Sequence, residues 1–212
     1  MGDIEKATRT HRPMHAPDRA RLFAVASEQG GYFTADQART CGYSRALLSY
    51  HARSGRFIRV RRGLYRFREY PSSSREAVLA AWLAVGRDVA VVSHESALDI
   101  LGLSDVIPDA VHLTVPRSRR NLPSPPGVKV HTTARPLQKE DLVTRDGMTI
   151  TAATRSILGA AEAGTAPEQI EMAVAQAIER GLATAEQLKR EAEGRGRRVA
   201  KLIDGALQRM KR

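Results

Sequence analysis

One cysteine, Cys41, stands among 212 residues. A lone thiol closes no internal disulfide and builds no cysteine-based zinc site. Long apolar runs are also missing. The longest, Val78 to Val85, falls far short of the roughly 20 residues that a helix needs to cross a bilayer. The first residues are polar and charged, without an apolar stretch before a small-residue cleavage site, so no export signal is read. The expected location is cytoplasmic and, given the charge described next, nucleoid-associated.

A further absence is local. Between Gln37 and Phe67 there is no acidic residue, and all eight charged side chains are arginines: Arg39, Arg45, Arg53, Arg56, Arg59, Arg61, Arg62 and Arg66. The net charge of +11 is correspondingly uneven: residues 1–70 carry 14 Lys+Arg against 6 Asp+Glu, and residues 71–212 carry 20 against 17. A basic run without acids repels itself unless a polyanion neutralises it, and phosphate is the usual partner. The competing reading is a solvated basic face that serves solubility.

Motifs of common enzymes are absent too. The sequence contains no GxxxxGK(S/T) loop, no HExxH and no GxSxG, nor the Gly-Ser followed by Asp-x-Asp of nucleotidyltransferases. Pro108-Asp109 ahead of one strand and Lys129 in the next imitate a PD…(D/E)xK nuclease, but Gly127 stands where the second acid belongs, so no metal pair is expected there. His94 and Glu95, beside Ser93, read as capping and packing residues, and His112 and His131 fall on strands with no third ligand at metal spacing. No cofactor, metal or catalytic group is expected, and the chain reads as a non-enzyme.

What remains is an order of elements. Residues 1–17 read as a flexible arm. A helix is predicted over Pro17 to Gln29, ended by Gly30-Gly31. Thr34 and Gln37 form a capping box for a short second helix that closes at Gly42. Ser44 caps a third helix running to about Ser54. Two β-type runs follow, Phe57 to Val60 and Leu64 to Phe67, joined by a three-residue loop, Arg61-Arg62-Gly63. That is the order of a winged helix-turn-helix over residues 18–70. At about 100° per residue, Leu47, Leu48 and His51 share the packing side of the third helix, and Arg45, Ser49, Tyr50 and Arg53 share the other. The DNA-binding candidates are therefore Arg45, Ser49, Tyr50, Arg53, Arg56, Arg59, Arg61 and Arg62, with double-stranded DNA as partner.

A proline- and serine-rich linker at Glu69 to Ser74 leads into residues 71–212, which read as a mixed α+β domain with a small sheet and a helical C-terminal part. Helices are predicted from a second capping box at Ser73–Glu76 to Gly86, from a Ser93 cap through Leu101 and from Ala153 to Ala163. Three more follow over Glu168 to Arg180, from a Thr184–Gln187 capping box to Glu193, and from Arg198. Strands are expected at Ala90–Ser93, Val111–Val115, Val128–His131 and Met148–Thr151. The basic loop with Arg117, Arg119 and Arg120 is a possible partner surface or additional DNA contact, as is the segment from Lys189, with nine Lys+Arg against three acids. The fold class is thus α+β throughout.

The stretches Gly31–Ala38, Gly42–Arg45, Leu48–Phe57 and Arg62–Arg66 closely resemble the N-terminal winged helix of AbiEi-type antitoxins from abortive-infection (type IV) toxin–antitoxin systems. Ser93–Leu98, Asp146–Thr151 and Thr154–Leu158 resemble later segments of that family in looser form. The resemblance implies a transcriptional autorepressor that binds repeated operator sequences, maps the DNA contacts onto Arg45, Ser49, Tyr50, Arg53 and the wing arginines, and implies a C-terminal domain that counters a co-encoded nucleotidyltransferase-type toxin. Two alternatives stand beside it: a stand-alone repressor whose second domain dimerises or senses a ligand, and a degenerate nuclease.

Overall fold

The computed structural model describes residues 16–210. The arm expected over residues 1–17 lies almost wholly outside them. The chain folds as two compact units that divide between Tyr70 and Pro71.

The first unit is a winged helix. Helix α1 (Arg19–Ser27) is capped by Asp18, whose carboxylate accepts from the Arg21 amide at 2.9 Å. Strand β1 (Tyr32–Thr34) leads into α2 (Ala35–Thr40), and the Thr34–Gln37 capping box forms as the sequence predicts. Helix α3 (Arg45–Arg53) starts on the Ser44 hydroxyl, which accepts from Leu47 N at 3.1 Å. Strands β2 (Phe57–Arg61) and β3 (Leu64–Phe67) form the hairpin, and β1 adds to β3 for a sheet order β1-β3-β2, antiparallel throughout.

Every phenylalanine of the chain lies in this unit. Phe33, Phe57 and Phe67 meet pairwise at centroid distances of 5.0–5.2 Å, closing a core with Leu22, Ala26, Ala38, Tyr43 and Leu48. Truncating one of these rings to alanine costs about 3–5 kcal/mol. Gly31 is needed where it stands: its φ is +84°, and a Cβ there would lie 2.3 Å from the Tyr70 ring.

The hairpin departs from the expected three-residue loop. Arg59 pairs with Tyr65, but the next pair is Arg61 with Leu64, so Val60 is bulged out and only Arg62 and Gly63 turn the chain. Gly63 takes φ +78° and its carbonyl accepts from Ala35 N at 2.8 Å, which ties the wing turn to the start of α2.

The second unit is a five-stranded mixed sheet with helices. The elements are α4 (Glu76–Val85), β4 (Val91–Val92), α5 (His94–Leu101), β5 (Val111–Pro116), β6 (Val128–Thr133), β7 (Leu142–Arg145), β8 (Met148–Thr151), α6 (Ala153–Ala163), α7 (Pro167–Glu179), α8 (Ala185–Glu193) and α9 (Arg197–Arg209). The sheet order is β6-β5-β4-β8-β7; β5–β6 and β4–β8 run parallel, and the other two pairs antiparallel. Its interior holds Trp82, whose indole N–H donates to the Ala90 carbonyl at 2.7 Å, with Val92, Leu98, Leu113, Val115, Met148, Ile150 and Ile157. Alanines at 160, 161, 173, 177, 192 and 206 are buried in α6 to α9, and such small side chains let helices approach closely.

Two capping predictions fail here. Helix α4 begins after Arg75 with no side-chain cap; Glu76 accepts only weakly from Ser73 N, at 3.3 Å. Ser93 occupies the cap position of α5 but does not cap it, because its hydroxyl is engaged by His94 and Thr114. At α8 the Thr184 hydroxyl does accept from Gln187 N, while the Gln187 side chain turns away to Glu191.

Candidate nucleic-acid interface and a histidine-lined cavity

In the first unit, Leu48 is buried and Leu47 and His51 are half-buried on the inner side of α3, while Arg45, Ser49, Tyr50 and Arg53 are exposed on the outer side. Positions 45, 49 and 53 fall one turn apart and make a continuous stripe. Tyr50 is 55% exposed, with its ring edge against His51 at 5.3 Å. His51 rests between the rings of Tyr43 and Phe57, and burial, followed by the nearby Arg56 charge, holds its pKa below the usual histidine value.

Arg56, Arg59 and Arg62 are exposed on β2 and its flanks, and Arg61 is half-buried beside them. Arg45, Arg53, Arg56, Arg59 and Arg62 form no ion pair with any described residue. Two members of the arginine run do not share this face. Arg39 pairs with Asp36 at 3.1 Å. Arg66 is 6% exposed on the central strand β3, donates to the Tyr70 carbonyl at 2.8 Å and lies 5.7 Å from the Tyr32 ring centroid.

In the second unit, Arg117, Arg119 and Arg120 are exposed on and beside a short 3₁₀ turn after β5. The basic C-terminal segment is less free than its composition suggests. Arg195 pairs with Glu162 at 2.9 Å, Arg198 donates to the Ala161 and Glu162 carbonyls at the end of α6, and Arg209 pairs with Glu171.

The histidines correct the sequence reading. His94, from the start of α5, stacks on His131 of β6 with ring centroids 3.6 Å apart and planes 16° from parallel. His131 Nε2 lies 3.2 Å from Nδ1 of His112 on β5. The third histidine that spacing does not reveal is thus supplied by another element, and the three offer ligand atoms all within 4.8 Å of one another. His94 is not a plain capping residue: its φ is +54°, a conformation uncommon outside glycine, and its Nδ1 is 2.8 Å from the Ser93 hydroxyl. Burial and the neighbouring imidazoles push His94 down to about 2 and His131 down to about 4, and burial lowers His112 as well.

His94 and His131 line a cavity of about 830 Å³ whose walls also include Thr114, Thr133, Arg155, Glu162, Arg190 and Arg195. Arg155 donates to the Thr133 hydroxyl at 3.3 Å, and its pKa is lowered by burial and then by Arg195. On the other side of His112, Glu95 Oε2 lies 3.9 Å from Nε2. The Asp109–Lys129 juxtaposition read in the sequence also forms, as an exposed ion pair at 2.9 Å. Glu95 approaches Asp109 and His112 closely enough to make a second group of possible ligands, although both Asp109 oxygens are within reach of the Lys129 ammonium, at 2.9 and 3.1 Å. One signal in the sequence points to the cavity: His112 and Thr114 alternate with Leu113 and Val115, which places polar groups on one face of an interior strand.

Residues 20–68 match a family model described as transcriptional regulator, AbiEi antitoxin. The resemblance read in the sequence is borne out over that stretch, from α1 through the wing. The fold is similar to the crystal structure of the RV2827C protein from Mycobacterium tuberculosis, with a TM-score of 0.57 and 20% identity, covering 88% of this chain and 76% of that one. At that identity the likeness concerns the fold alone. No curated protein matches the sequence. No helix among the described residues is long and apolar enough to cross a membrane.

Proposed function

We propose that this chain is a DNA-binding transcriptional regulator of the AbiEi antitoxin kind that represses its own promoter at repeated operator sequences and counters a co-encoded nucleotidyltransferase-type toxin. One observation carries the DNA half of this reading. Arg45 and Arg53 on the outer side of α3 and Arg56, Arg59 and Arg62 at the adjoining hairpin are exposed and form no ion pair with any described residue. In a winged helix the second helix of the turn enters the major groove and the wing follows the backbone. In that placement Arg45 and Arg53 are set to grip guanine O6 and N7 through two bonds, Ser49 and Tyr50 to reach bases or phosphates, and Arg56, Arg59, Arg61 and Arg62 to neutralise phosphates.

The antitoxin half rests on the family match of the first unit and not on a contact seen in the second. The cavity supports a second reading, in which the chain is a stand-alone repressor whose second unit senses a ligand. A concave, polar, cationic site of about 830 Å³ suits a small anionic molecule.

A promoter–reporter strain and a co-expression strain test both halves. Full-length chain silences its own upstream region, and Arg45→Ala with Arg53→Ala restores expression. Co-expression with an adjacent nucleotidyltransferase gene restores growth. Silencing without rescue leaves the stand-alone repressor, and no silencing removes the DNA reading.

A further inference from the structure

We propose that His94, His112 and His131 form a binding site for a first-row transition-metal ion of the Zn²⁺ type, at the floor of the cavity in the second unit. Three imidazoles without a thiolate or a bound carboxylate are a donor set suited to zinc, copper or nickel rather than to magnesium or calcium. The three rings converge from three elements, α5, β5 and β6, in buried or half-buried positions.

The donor atoms are already gathered. His112 Nδ1 and His131 Nε2 are 3.2 Å apart. Two nitrogens on a tetrahedral zinc at about 2.0–2.1 Å are separated by about 3.3 Å. His94 spends Nδ1 on the Ser93 hydroxyl, which leaves Nε2 to offer, and the three donors lie within 4.8 Å.

The surroundings orient the ligands as outer-shell groups of metal sites do. Glu95 faces His112 Nε2 at 3.9 Å and favours the proton there, leaving Nδ1 for the ion. The Ser93 hydroxyl that holds His94 also accepts from Thr114 at 2.8 Å. Two features that cost stability serve the same ring. His94 is held at φ +54°, and the helical Gly159 leaves space for it, since a Cβ there would lie 3.2 Å from the imidazole. Three protein ligands leave a fourth position toward the cavity, where Arg155 and Arg195 favour an anionic oxygen.

The test is titration of EDTA-treated full-length chain with Co²⁺, read by visible absorption, followed by displacement with Zn²⁺. The expected result is one equivalent with a band of four-coordinate intensity. Glu95→Gln should weaken binding by about 10–100-fold. His94→Gln and His131→Gln should weaken it further and remove the band, with unchanged circular dichroism. His51→Gln and substitution of both His11 and His15 should leave it intact. Affinity no better than about 1 mM, or a band that survives in His94→Gln/His131→Gln, overturns the proposal.

Discussion

Gln29 and Gln37 exchange two amide hydrogen bonds, at 3.2 and 3.1 Å, at the junction of α1, β1 and α2. Gln37 Oε1 also accepts from Thr34 N at 2.8 Å, completing the capping box, and Gln29, only 2% exposed, donates to the Tyr32 carbonyl at 3.1 Å. One side chain therefore caps a helix and satisfies a buried amide. Gln37→Ala should destabilise the first unit by about 2–3 kcal/mol, the loss of a cap bond together with a buried polar group left unpaired. Gln187→Ala in α8 is the control: Thr184 still caps that helix, and the loss should stay within about 0.5 kcal/mol. Urea unfolding of both variants checks the contrast, and equal losses contradict it.

The wing makes a salt-dependent prediction. Arg62 is exposed at the hairpin turn, where a backbone phosphate is the expected contact. Arg62→Ala should weaken binding to operator and random DNA alike and reduce the slope of log affinity against log salt by about one unit. An unchanged slope places Arg62 in solvent.

His51 gives the pH dependence. Its folded-state pKa is depressed by burial, so as pH falls below the ordinary value of 6.5 the unfolded chain takes up the proton first. Stability of the first unit is therefore full above pH 6.5 and declines as acid is added. An NMR titration of the His51 ring should show a midpoint below 6.5, and His51→Gln should flatten the contribution of this unit to the pH profile. A midpoint at or above 6.5 contradicts the burial argument.

Two helical glycines should respond in opposite ways to alanine. At Gly205 in α9 the new Cβ meets only the Arg209 guanidinium at 3.4 Å, the far end of a flexible side chain, so Gly205→Ala should stabilise by about 0.5–1 kcal/mol. At Gly159 the new Cβ meets the His94 ring at 3.2 Å, a ring held on both sides, so the same substitution should give no gain or a loss. Thermal melts of the two variants decide it; equal stabilisation would mean that the His94 ring moves freely.

The elements legible in the sequence are those with local signals. The Thr34–Gln37 box, Gly42, Ser44 and the β-rich run of β3 set their elements to within about a residue. Strands β1 and β7, of three and four residues, are not legible, because only their partners β3 and β8 make them strands. Arg66 reads as part of the basic run, but β3 is the middle strand of its sheet and is buried along its length. The histidine cluster is hidden for a related reason. Parallel pairing sets His112 opposite Lys129 and Thr114 opposite His131, and α5 brings in His94. No spacing along the chain encodes that register.

The central claim is sequence-specific DNA binding through the outer side of α3. The most direct measurement is fluorescence anisotropy of the full-length chain with its own upstream duplex and with random duplex at one salt concentration. The account predicts tighter binding to the upstream duplex by on the order of 10³-fold or more. It also predicts that Arg45→Ala or Arg53→Ala costs about 1–3 kcal/mol on that duplex and much less on random DNA. Equal affinity for the two duplexes, or equal losses on both in each variant, would contradict it.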